Sequence, residues 1–379
     1  MPGLLTGKWT NLPKFTTMKI LFVLELFYPN IGGIEKLFAS LGESLVQQGN
    51  EVKVITTRFQ KGLPLKETYR GMEVRRLPIH NRFLFTFFGF FFLHRDAGRS
   101  DIIHTTSYNA AFPARMAALL HRKPCVITFH EVWGKLWFRL PYLSLPGRIL
   151  YSLYEQFILR LRFHRFVGVS QFTSRRLQEN GVSQERITTI YNGLDYNKNI
   201  TARPNPGEVF IFTFFGRPGS SKGLDILLPA AEDFLKKENR KLRLILSKSP
   251  AAIYRKVIRY INNAGIAGKV ELMHHLSDND LERALLESHC IVIPSYSEGF
   301  CFAAAEASAL GIPLITSGKG ALPEVVSGRH ITLENMSPSA LGKALEQAEE
   351  GKWMETPLKK FELQDTVNSY KKLYDSLLS

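Results

Sequence analysis

Residues 290–306 read CIVIPSYSEGFCFAAAE, an apolar strand followed by a glycine turn and the start of a helix. The pattern predicts a turn at Gly299 and a helix from Cys301 onward. The first amides of such a helix lack partners and carry partial positive charge, so this turn can bind phosphate. Glu298 and Glu306 flank the turn and can accept hydrogen bonds from hydroxyl groups. A phosphate site between two hydroxyl acceptors is what a nucleotide-sugar requires.

Strand-like apolar runs alternate with helical patterns on both sides of this stretch, which predicts parallel sheets flanked by helices. The predicted strands of the first half are 19–25, 51–57, 73–79, 101–107, 124–131, 166–170 and 187–193. Those of the second half are 209–216, 241–247, 269–275, 290–295 and 313–317. We therefore expect two doubly wound α/β halves that face each other across a cleft, because open sheets bind ligands at the carboxyl ends of their strands.

The domain boundary is predicted from a change in composition. The stretch 197–207 contains two prolines and several polar residues, which is typical of a linker. We expect a tail at 1–17, an N-terminal acceptor-side domain at 18–200 and a C-terminal nucleotide-sugar-binding domain at 201–361. The final helix, 362–379, has no strand after it.

Three other predicted strands end in loops with candidate site residues. FYPNIGGIEK (27–36) places Gly33 before a helix, where glycine lets the backbone approach a phosphate or sugar closely. FFGRPGSSKGLD (214–225) contains Arg217 and Lys222, two cations that can neutralise a diphosphate and stabilise it as a leaving group. His130 and Glu131 end the strand PCVITFHE, and His130 can bond a sugar hydroxyl. Taken singly, each candidate also has a purely structural explanation. The glycine turn can be a tight connection, the loop of Arg217 and Lys222 can be a solvated surface loop, and His130 can be a structural histidine.

The composition limits the classes of protein to consider. The cysteines Cys125, Cys290 and Cys301 are scattered without metal-ligand spacing, which indicates a reducing compartment and no disulfide framework. No apolar run reaches the roughly 20 residues that span a bilayer. Residues 1–200 hold 27 Lys+Arg against 13 Asp+Glu, and 19 of the 27 phenylalanines. A basic, aromatic-rich half favours an anionic surface as partner, although a solvated basic face gives the same composition.

Together these segments resemble the family-4 glycosyltransferases, which have the GT-B fold of two Rossmann-like domains. The matching segments follow the family's order over most of 18–330 and are FYPNIGGIEK, DIIHTTS, TFHE, VGVSQFT, IYNGLD, FFGRPGSSKG, PSYSEGFCFAAAEASALGIPLITS and ALPEVV. The two spaced glutamates and the Arg…Lys-Gly loop are specific in combination. In the family the terminal helix crosses back to the first domain, and we expect 362–379 to do so.

The resemblance also implies roles for matching residues. The implied catalytic residues are His130, Arg217, Lys222 and Glu298. The implied donor-binding residues are Gly33, Arg217, Lys222, Gly299, Phe300, Cys301, Phe302 and Glu306. Within this set, Glu306 would bind the ribose hydroxyls, Glu298 the transferred sugar, and Arg217 with Lys222 the diphosphate.

The resemblance further implies retention of configuration. It implies no metal and no cofactor beyond a UDP- or GDP-linked donor. Glu131 departs from the family pattern, in which Asp often follows the histidine, and this departure concerns the acceptor side.

Two segments of the first half have the composition of a membrane-surface contact. NRFLFTFFGFFFLHR (81–95) is a dense aromatic run bounded by arginines, and residues 133–166 interleave Trp, Tyr, Phe and Leu with basic residues. Basic residues among large amphipathic side chains favour the headgroup region of an anionic leaflet. Core helices with arginines that extend to solvent are the alternative. The first interpretation predicts a cytoplasmic protein, peripheral on the inner membrane face, with a lipid or lipid-linked glycan as acceptor.

Other classes of function remain open at this point. Glu298 and Glu306 could belong to a glycosidase, but retaining hydrolases hold their two carboxyl groups roughly 5 Å apart across one sugar. A nucleic-acid partner fits the basic charge, but the basic half has no recognisable nucleic-acid motif to support it. A glycosyltransferase with a soluble or nucleic-acid acceptor is a further alternative, and a non-catalytic scaffold is another.

Overall fold

The computed structural model of the chain describes residues 17–30, 32–141, 143–195 and 207–379. Nearly all of the predicted tail and linker, at 1–16 and 197–206, lies outside these ranges, as does the expected domain boundary after residue 200. Two sheets, each flanked by helices, account for the described strands.

The first sheet has eight strands. Their bounds are β1 Lys19–Val23, β2 Glu51–Thr57, β3 Lys66–Tyr69, β4 Met72–Leu77, β5 Ile102–Thr106, β6 Cys125–Phe129, β7 Arg165–Gly168 and β8 Ile187–Thr189. They are ordered β3-β4-β2-β1-β5-β6-β7-β8, and every neighbouring pair is parallel except β3 with β4.

The second sheet has seven strands. They are β9 Phe210–Gly216, β10 Arg240–Leu246, β11 Val270–Met273, β12 Cys290–Ile293, β13 Leu314–Thr316, β14 Gly328–Thr332 and β15 Met354–Thr356. The order is β11-β10-β9-β12-β13-β14-β15, and only β15 runs antiparallel to its neighbour. The expected architecture of two doubly wound, mainly parallel domains is confirmed.

Helices cover both faces of each sheet. They are α1 Gly33–Gln47, α2 Arg82–Arg99, α3 Ala111–Leu120, α4 Leu145–Arg160, α5 Gln171–Glu179, α6 Leu224–Phe234, α7 Ala251–Asn263, α8 Asp278–Leu286, α9 Phe302–Ala309, α10 Leu322–Val325, α11 Pro338–Glu349 and α12 Leu363–Leu378. Alternate side chains of β1 point to opposite faces. Leu21 and Val23 join the core with α2 to α5, whereas Ile20 and Phe22 join the core with α1 and α12.

The strand order places the candidate loops opposite one another. β1 pairs with both β2 and β5, and β9 pairs with both β10 and β12, so each sheet reverses its winding beside its first strand. Ligands of open α/β sheets bind at such reversals, beyond the carboxyl ends of the strands. The loops that carry Lys222 and Glu298 follow β9 and β12. Gly33, which was expected before the helix, is the first residue of α1, directly after the loop that follows β1.

The C-terminal helix crosses back as the family resemblance implied. α12 packs against α1 of the first domain, and its Tyr370 and Tyr374 are fully buried there. The Tyr374 hydroxyl lies 2.6 Å from Nδ1 of His104, and the Tyr370 hydroxyl lies 3.0 Å from the hydroxyl of Thr128. α12 is thus part of the first domain's core.

Several element ends differ from the sequence prediction. The strand predicted to reach Ser295 ends at Ile293, because Pro294 has no N–H to continue the ladder. The helix predicted from Cys301 begins at Phe302, since Cys301 has a φ of +78°, in the left-handed region. The short strands β3, β14 and β15 were not predicted.

Candidate active site

The centre of the candidate site is an ion pair between two predicted residues. Lys222, in the loop between β9 and α6, donates to both carboxylate oxygens of Glu298, at 2.8 and 2.9 Å. The hydroxyl of Ser295 donates to the same carboxylate at 2.7 Å. Burial by itself lowers the pKa of Lys222, but the carboxylates of Glu298 and Glu131 outweigh it and hold the pKa above its ordinary value. The lysine is therefore a fixed positive charge.

The first domain reaches this ion pair through the end of β6. A Cβ added to Gly299 would lie 1.5 Å from the carbonyl oxygen of His130, so only glycine fits here. The Thr173 hydroxyl of α5 donates to the Gly299 carbonyl at 3.1 Å. The structure thus brings together three predicted residues, His130, Lys222 and Glu298, around the predicted turn.

His130 is a neutral side chain in this position. Burial lowers the pKa of its imidazole to about 3. Its Nε2 atom is shielded from solvent and has no hydrogen-bond partner among the described residues. Buried polar atoms are rarely left without a partner, so an unpaired ring nitrogen at this point is suited to a ligand hydroxyl.

Glu131, the departure from the family pattern, also lies at the turn. Its carboxyl accepts a hydrogen bond from the backbone N–H of Gly299. Burial raises the pKa of Glu131 to about 8, with the attraction of Lys222 opposing the shift and the repulsion of Glu298 adding to it. A mostly protonated carboxyl therefore lies next to the ion pair at neutral pH.

The two glycines at the start of α1 lie against the second domain, Gly33 near Phe302 and Gly32 near Arg217. A Cβ added to Gly33 would come within 2.5 Å of the Phe302 ring, so α1 of the first domain touches α9 of the second. A Cβ on the neighbouring Gly32 would lie 2.3 Å from a carboxylate oxygen of Glu35 and 3.2 Å from a guanidinium nitrogen of Arg217. The Arg217 charge counteracts the burial that raises the pKa of Glu35. A buried carboxyl therefore faces the predicted diphosphate arginine.

The other predicted donor residues follow along α9. The Phe300 side chain is buried in the core against Phe361 and Phe302, so it can offer a ligand only its backbone. Cys301 precedes α9 with left-handed backbone, and burial raises the pKa of its thiol, which is consequently neutral. Glu306 is half-buried on α9, one turn beyond Phe302.

Sequence reasoning assigned no role to several residues that the fold brings to this region. Glu324 of α10 accepts the backbone N–H groups of Gln171 and Phe172, at 2.8 and 2.6 Å, and the Tyr191 hydroxyl at 2.9 Å. Because it bonds the start of α5, it connects the two domains. Glu35 and Glu324 both lie in segments that carry the family resemblance, FYPNIGGIEK and ALPEVV, and this was the signal that could have identified them.

The two basic aromatic segments form helices with one buried and one exposed side. α2 buries Phe85, Gly89, Leu93 and Ala97 and exposes six large apolar side chains, which are Phe83, Leu84, Phe87, Phe88, Phe91 and Phe92. α4 exposes Leu145, Ile149, Leu150, Leu153 and Phe157. Neither helix, nor any other in the described part of the chain, is long and apolar enough to cross a membrane.

Two doubly wound domains with these side chains between their facing strand ends define a GT-B glycosyltransferase. The family models agree: Glycosyltransferase Family 4 matches residues 31–198, and Glycosyl transferases group 1 matches residues 195–364. The chain belongs to this glycosyltransferase family, and the resemblance inferred from its motifs is confirmed.

Known relatives are similar over most of the chain. A phosphatidylinositol N-acetylglucosaminyltransferase subunit of Homo sapiens is 25% identical over 350 residues, which are 88% of this chain and 68% of that protein. GDP-mannose:cellobiosyl-diphosphopolyprenol alpha-mannosyltransferase of Xanthomonas oryzae pv. oryzae is 25% identical over 309 residues, 79% of this chain and 78% of the relative.

Solved structures share the fold at low sequence identity. HepE of Anabaena in complex with UDP and glucose has a TM-score of 0.74 at 16% identity, over 95% of this chain and 100% of that one. Sucrose-phosphate synthase of Thermosynechococcus elongatus has a TM-score of 0.79 at 18% identity, over 95% of this chain and 99% of that one.

Proposed function

We propose that this glycosyltransferase moves a hexose-type sugar from a UDP- or GDP-linked donor to a lipid or lipid-linked glycan, with retention and without a metal. The observation that carries the proposal is the Lys222–Glu298 ion pair beside the turn at Gly299, directly opposite His130. A fixed cation and a hydroxyl acceptor lie together there, at the turn that leads into α9, which is the chemistry that a diphosphate bonded to a sugar requires.

The donor is assigned to the second domain. Arg217 and Lys222 would hold the diphosphate, Glu298 the transferred sugar and Glu306 the ribose, with the amides of residues 300–302 completing the phosphate site. Gly33 would line the phosphate and acceptor side. The names of similar proteins support this class of donor: HepE was solved with UDP and glucose, and the Xanthomonas relative is named for GDP-mannose.

The proposed reaction needs no nucleophile from the protein. The bond from the anomeric carbon to the phosphate oxygen breaks, and the acceptor oxygen bonds that carbon on the same face. The acceptor's proton passes to the departing phosphate oxygen. Arg217 and Lys222 stabilise the charge that develops on the phosphate, and the neutral His130 orients a sugar hydroxyl. Closure of the domains around the donor would exclude water.

The acceptor is proposed from the surface of the first domain and from the relatives. α2 and α4 lie on the same face of the first sheet and present apolar side chains with arginines nearby. The human and Xanthomonas relatives are named for phosphatidylinositol and for a diphosphopolyprenol, both lipids. We therefore propose that the protein is cytoplasmic, works at the inner membrane face and takes its acceptor from an anionic leaflet.

Thermal unfolding with UDP, GDP and ADP tests the donor assignment. A ligand at 100 times its dissociation constant adds about 2.7 kcal/mol to the native state. We expect one of these nucleotides to raise the unfolding midpoint of the natural protein but not that of Glu306→Ala. Glu346→Ala, which removes an exposed carboxylate from α11 of the same domain, is the control and retains the shift.

The outcome decides between an enzyme and a scaffold. An equal shift in Glu306→Ala would remove Glu306 from the ribose site while leaving the nucleotide class determined. No shift with any nucleotide, in the presence or absence of a lipid acceptor, would contradict the donor assignment and favour a non-catalytic scaffold.

A further inference from the structure

The segment that follows His130 is attached to α4 at its beginning. Glu155 of α4 is fully buried and accepts the backbone N–H groups of Trp133 and Gly134, at 2.9 and 2.6 Å. The Tyr108 hydroxyl donates to the same carboxylate at 2.8 Å. Hydrogen bonds to a charged acceptor are the stronger kind, so Glu155 holds the chain only two residues beyond Glu131.

The same segment is attached to α4 at its end. The guanidinium of Arg148 donates to the carbonyl oxygens of Phe138 and Leu140, both at 2.8 Å. Between the two attachments, the ring of Trp137 stacks on Tyr151 of α4 at 5.3 Å. Residues 134–139 form a short 3-10 helix, whose own hydrogen bonds are weaker than those of an α-helix. The position of this segment therefore depends on α4.

The first half of α4 has little to hold it in water. The buried residues of the helix are Glu155, Ile158 and Leu159, all in its last two turns. Ser144, the N-cap residue of α4, makes no side-chain cap hydrogen bond. Leu150 and Leu153 are each 64% exposed. The contacts of Arg148 and Tyr151 are with residues 137–140, whose own position depends on α4, so this half of the helix has low local stability.

The exposed side of α4 has the chemistry of an anionic lipid surface. Leu145, Ile149, Leu153 and Phe157 recur every four residues and form a stripe along one face of the helix. The exposed charges of residues 133–166 are basic, because the single acidic residue there is the buried Glu155. Each leucine removed from water and each basic residue near an anionic leaflet stabilises such a contact.

We infer that contact of α4 with an anionic lipid surface orders its first half and, through Arg148 and Glu155, sets the position of residues 131–140 beside His130. This inference rests on the proposed transfer to a lipid-borne acceptor, since it makes the acceptor side of the site complete only at the membrane. α4 then has two functions on its two faces. One binds lipid, and the other positions the chain that meets the acceptor.

Hydrogen exchange on the full chain tests this coupling without requiring turnover. The probes are vesicles of phosphatidylcholine alone and of phosphatidylcholine with phosphatidylglycerol. We expect the anionic vesicles to bind the protein and to slow exchange in residues 133–153 by at least about threefold, because the local opening of α4 becomes less favourable. Zwitterionic vesicles should bind more weakly and leave exchange in this region unchanged.

Three variants separate the parts of the inference. Leu150→Gln with Leu153→Gln should lose vesicle binding, whereas Met354→Gln with Leu358→Gln retains it. The second pair is a matched control, because Met354 and Leu358 are each 62% exposed but lie in the second domain. Arg148→Lys keeps the charge but cannot bond two carbonyls in the same way. This variant should bind vesicles with α4 protected from exchange, whereas residues 135–140 should still exchange rapidly, because Glu155 continues to hold the amides of residues 133 and 134.

Each outcome bears on one proposal. Vesicle binding without slower exchange in 133–140 would overturn the coupling and leave the membrane surface intact. Equal binding to both kinds of vesicle would contradict the role of charge. Absence of binding would remove the membrane surface and this inference together, whereas the donor assignment would still rest on its own nucleotide measurement.

Discussion

At the scale of single residues, the buried carboxyl of Glu131 gives the candidate site a pH dependence. Burial raises its pKa to about 8 against the attraction of Lys222. In the unfolded chain the group returns to an ordinary pKa near 4.5. The folded state keeps the proton to a higher pH than the unfolded state does. The contribution of Glu131 to the free energy of unfolding is therefore fully present below about pH 4.5 and is lost as the pH rises through about 8.

Glu131→Gln tests this assignment, since the amide has nearly the shape of a protonated carboxyl and does not titrate. We expect the free energy of unfolding of the natural protein to fall relative to the variant between about pH 5 and 8, by up to about 1.4 kcal/mol per pH unit. Urea unfolding at pH 5, 7 and 9 measures the difference. The control is Glu238→Gln, at a side chain that is 88% exposed. Its free energy of unfolding should change with pH as that of the natural protein does. Parallel curves for Glu131→Gln as well would refute the raised pKa.

At the scale of elements, α12 is joined to the first sheet by a buried hydrogen-bonded chain. The chain has three hydrogen bonds. The Tyr374 hydroxyl pairs with Nδ1 of His104, Nε2 of His104 pairs with the Thr128 hydroxyl, and that hydroxyl pairs with the hydroxyl of Tyr370. Burial lowers the pKa of His104 to about 3, so the ring is neutral and needs a partner at each nitrogen. Removal of one hydroxyl therefore leaves a buried nitrogen unpaired.

Tyr374→Phe should accordingly lower the free energy of unfolding by about 1–3 kcal/mol, the cost of an unsatisfied buried group. Tyr254→Phe is the matched control. Its hydroxyl also bonds a histidine nitrogen, that of His274 at 3.0 Å, but this pair is only partly buried and water can replace the bond. Urea unfolding of both variants compares the two. An equally small effect in both would show that α12 is held by apolar packing alone.

The elements also show which part of the fold the sequence could predict. The long central strands of both sheets were found because they are buried on both faces and therefore appear as continuous apolar runs. β3, with the sequence KETY, and β15, with MET, are short edge strands whose side chains are mostly exposed. Such strands have no apolar pattern, and their pairing depends on a neighbour that is placed by the rest of the sheet.

The candidate site, like the fold, could be predicted from the sequence only in part. Lys222, Glu298 and His130 could be named because each follows a predictable strand, and strand ends converge in this class of fold. The bond between Lys222 and Glu298 spans 76 residues, and that between Glu324 and Gln171 spans 153. Contacts of this kind depend on how the two domains meet, which no local pattern in the sequence specifies.

At the scale of the whole molecule, Glu324 connects the two domains near the candidate site. Its carboxylate accepts hydrogen bonds from the first amides of α5 and from the Tyr191 hydroxyl. A carboxylate at the start of a helix also interacts favourably with the helix dipole. Since hinged domains close around ligands, a contact of this kind favours the closed arrangement before any donor has bound.

Glu324→Ala should therefore open the protein in the absence of nucleotide. We expect the radius of gyration in small-angle X-ray scattering to rise by on the order of 1 Å above the roughly 21 Å of a compact chain of this length. A bound nucleotide that contacts both domains should reverse the change, because it favours closure independently of Glu324. Glu179→Ala removes an exposed carboxylate from α5 that pairs with Arg176 of the same helix, and should leave the radius unchanged. If Glu324→Ala scatters like the natural protein, closure rests instead on the contact of Gly299 with His130, and Glu324 serves only to cap α5.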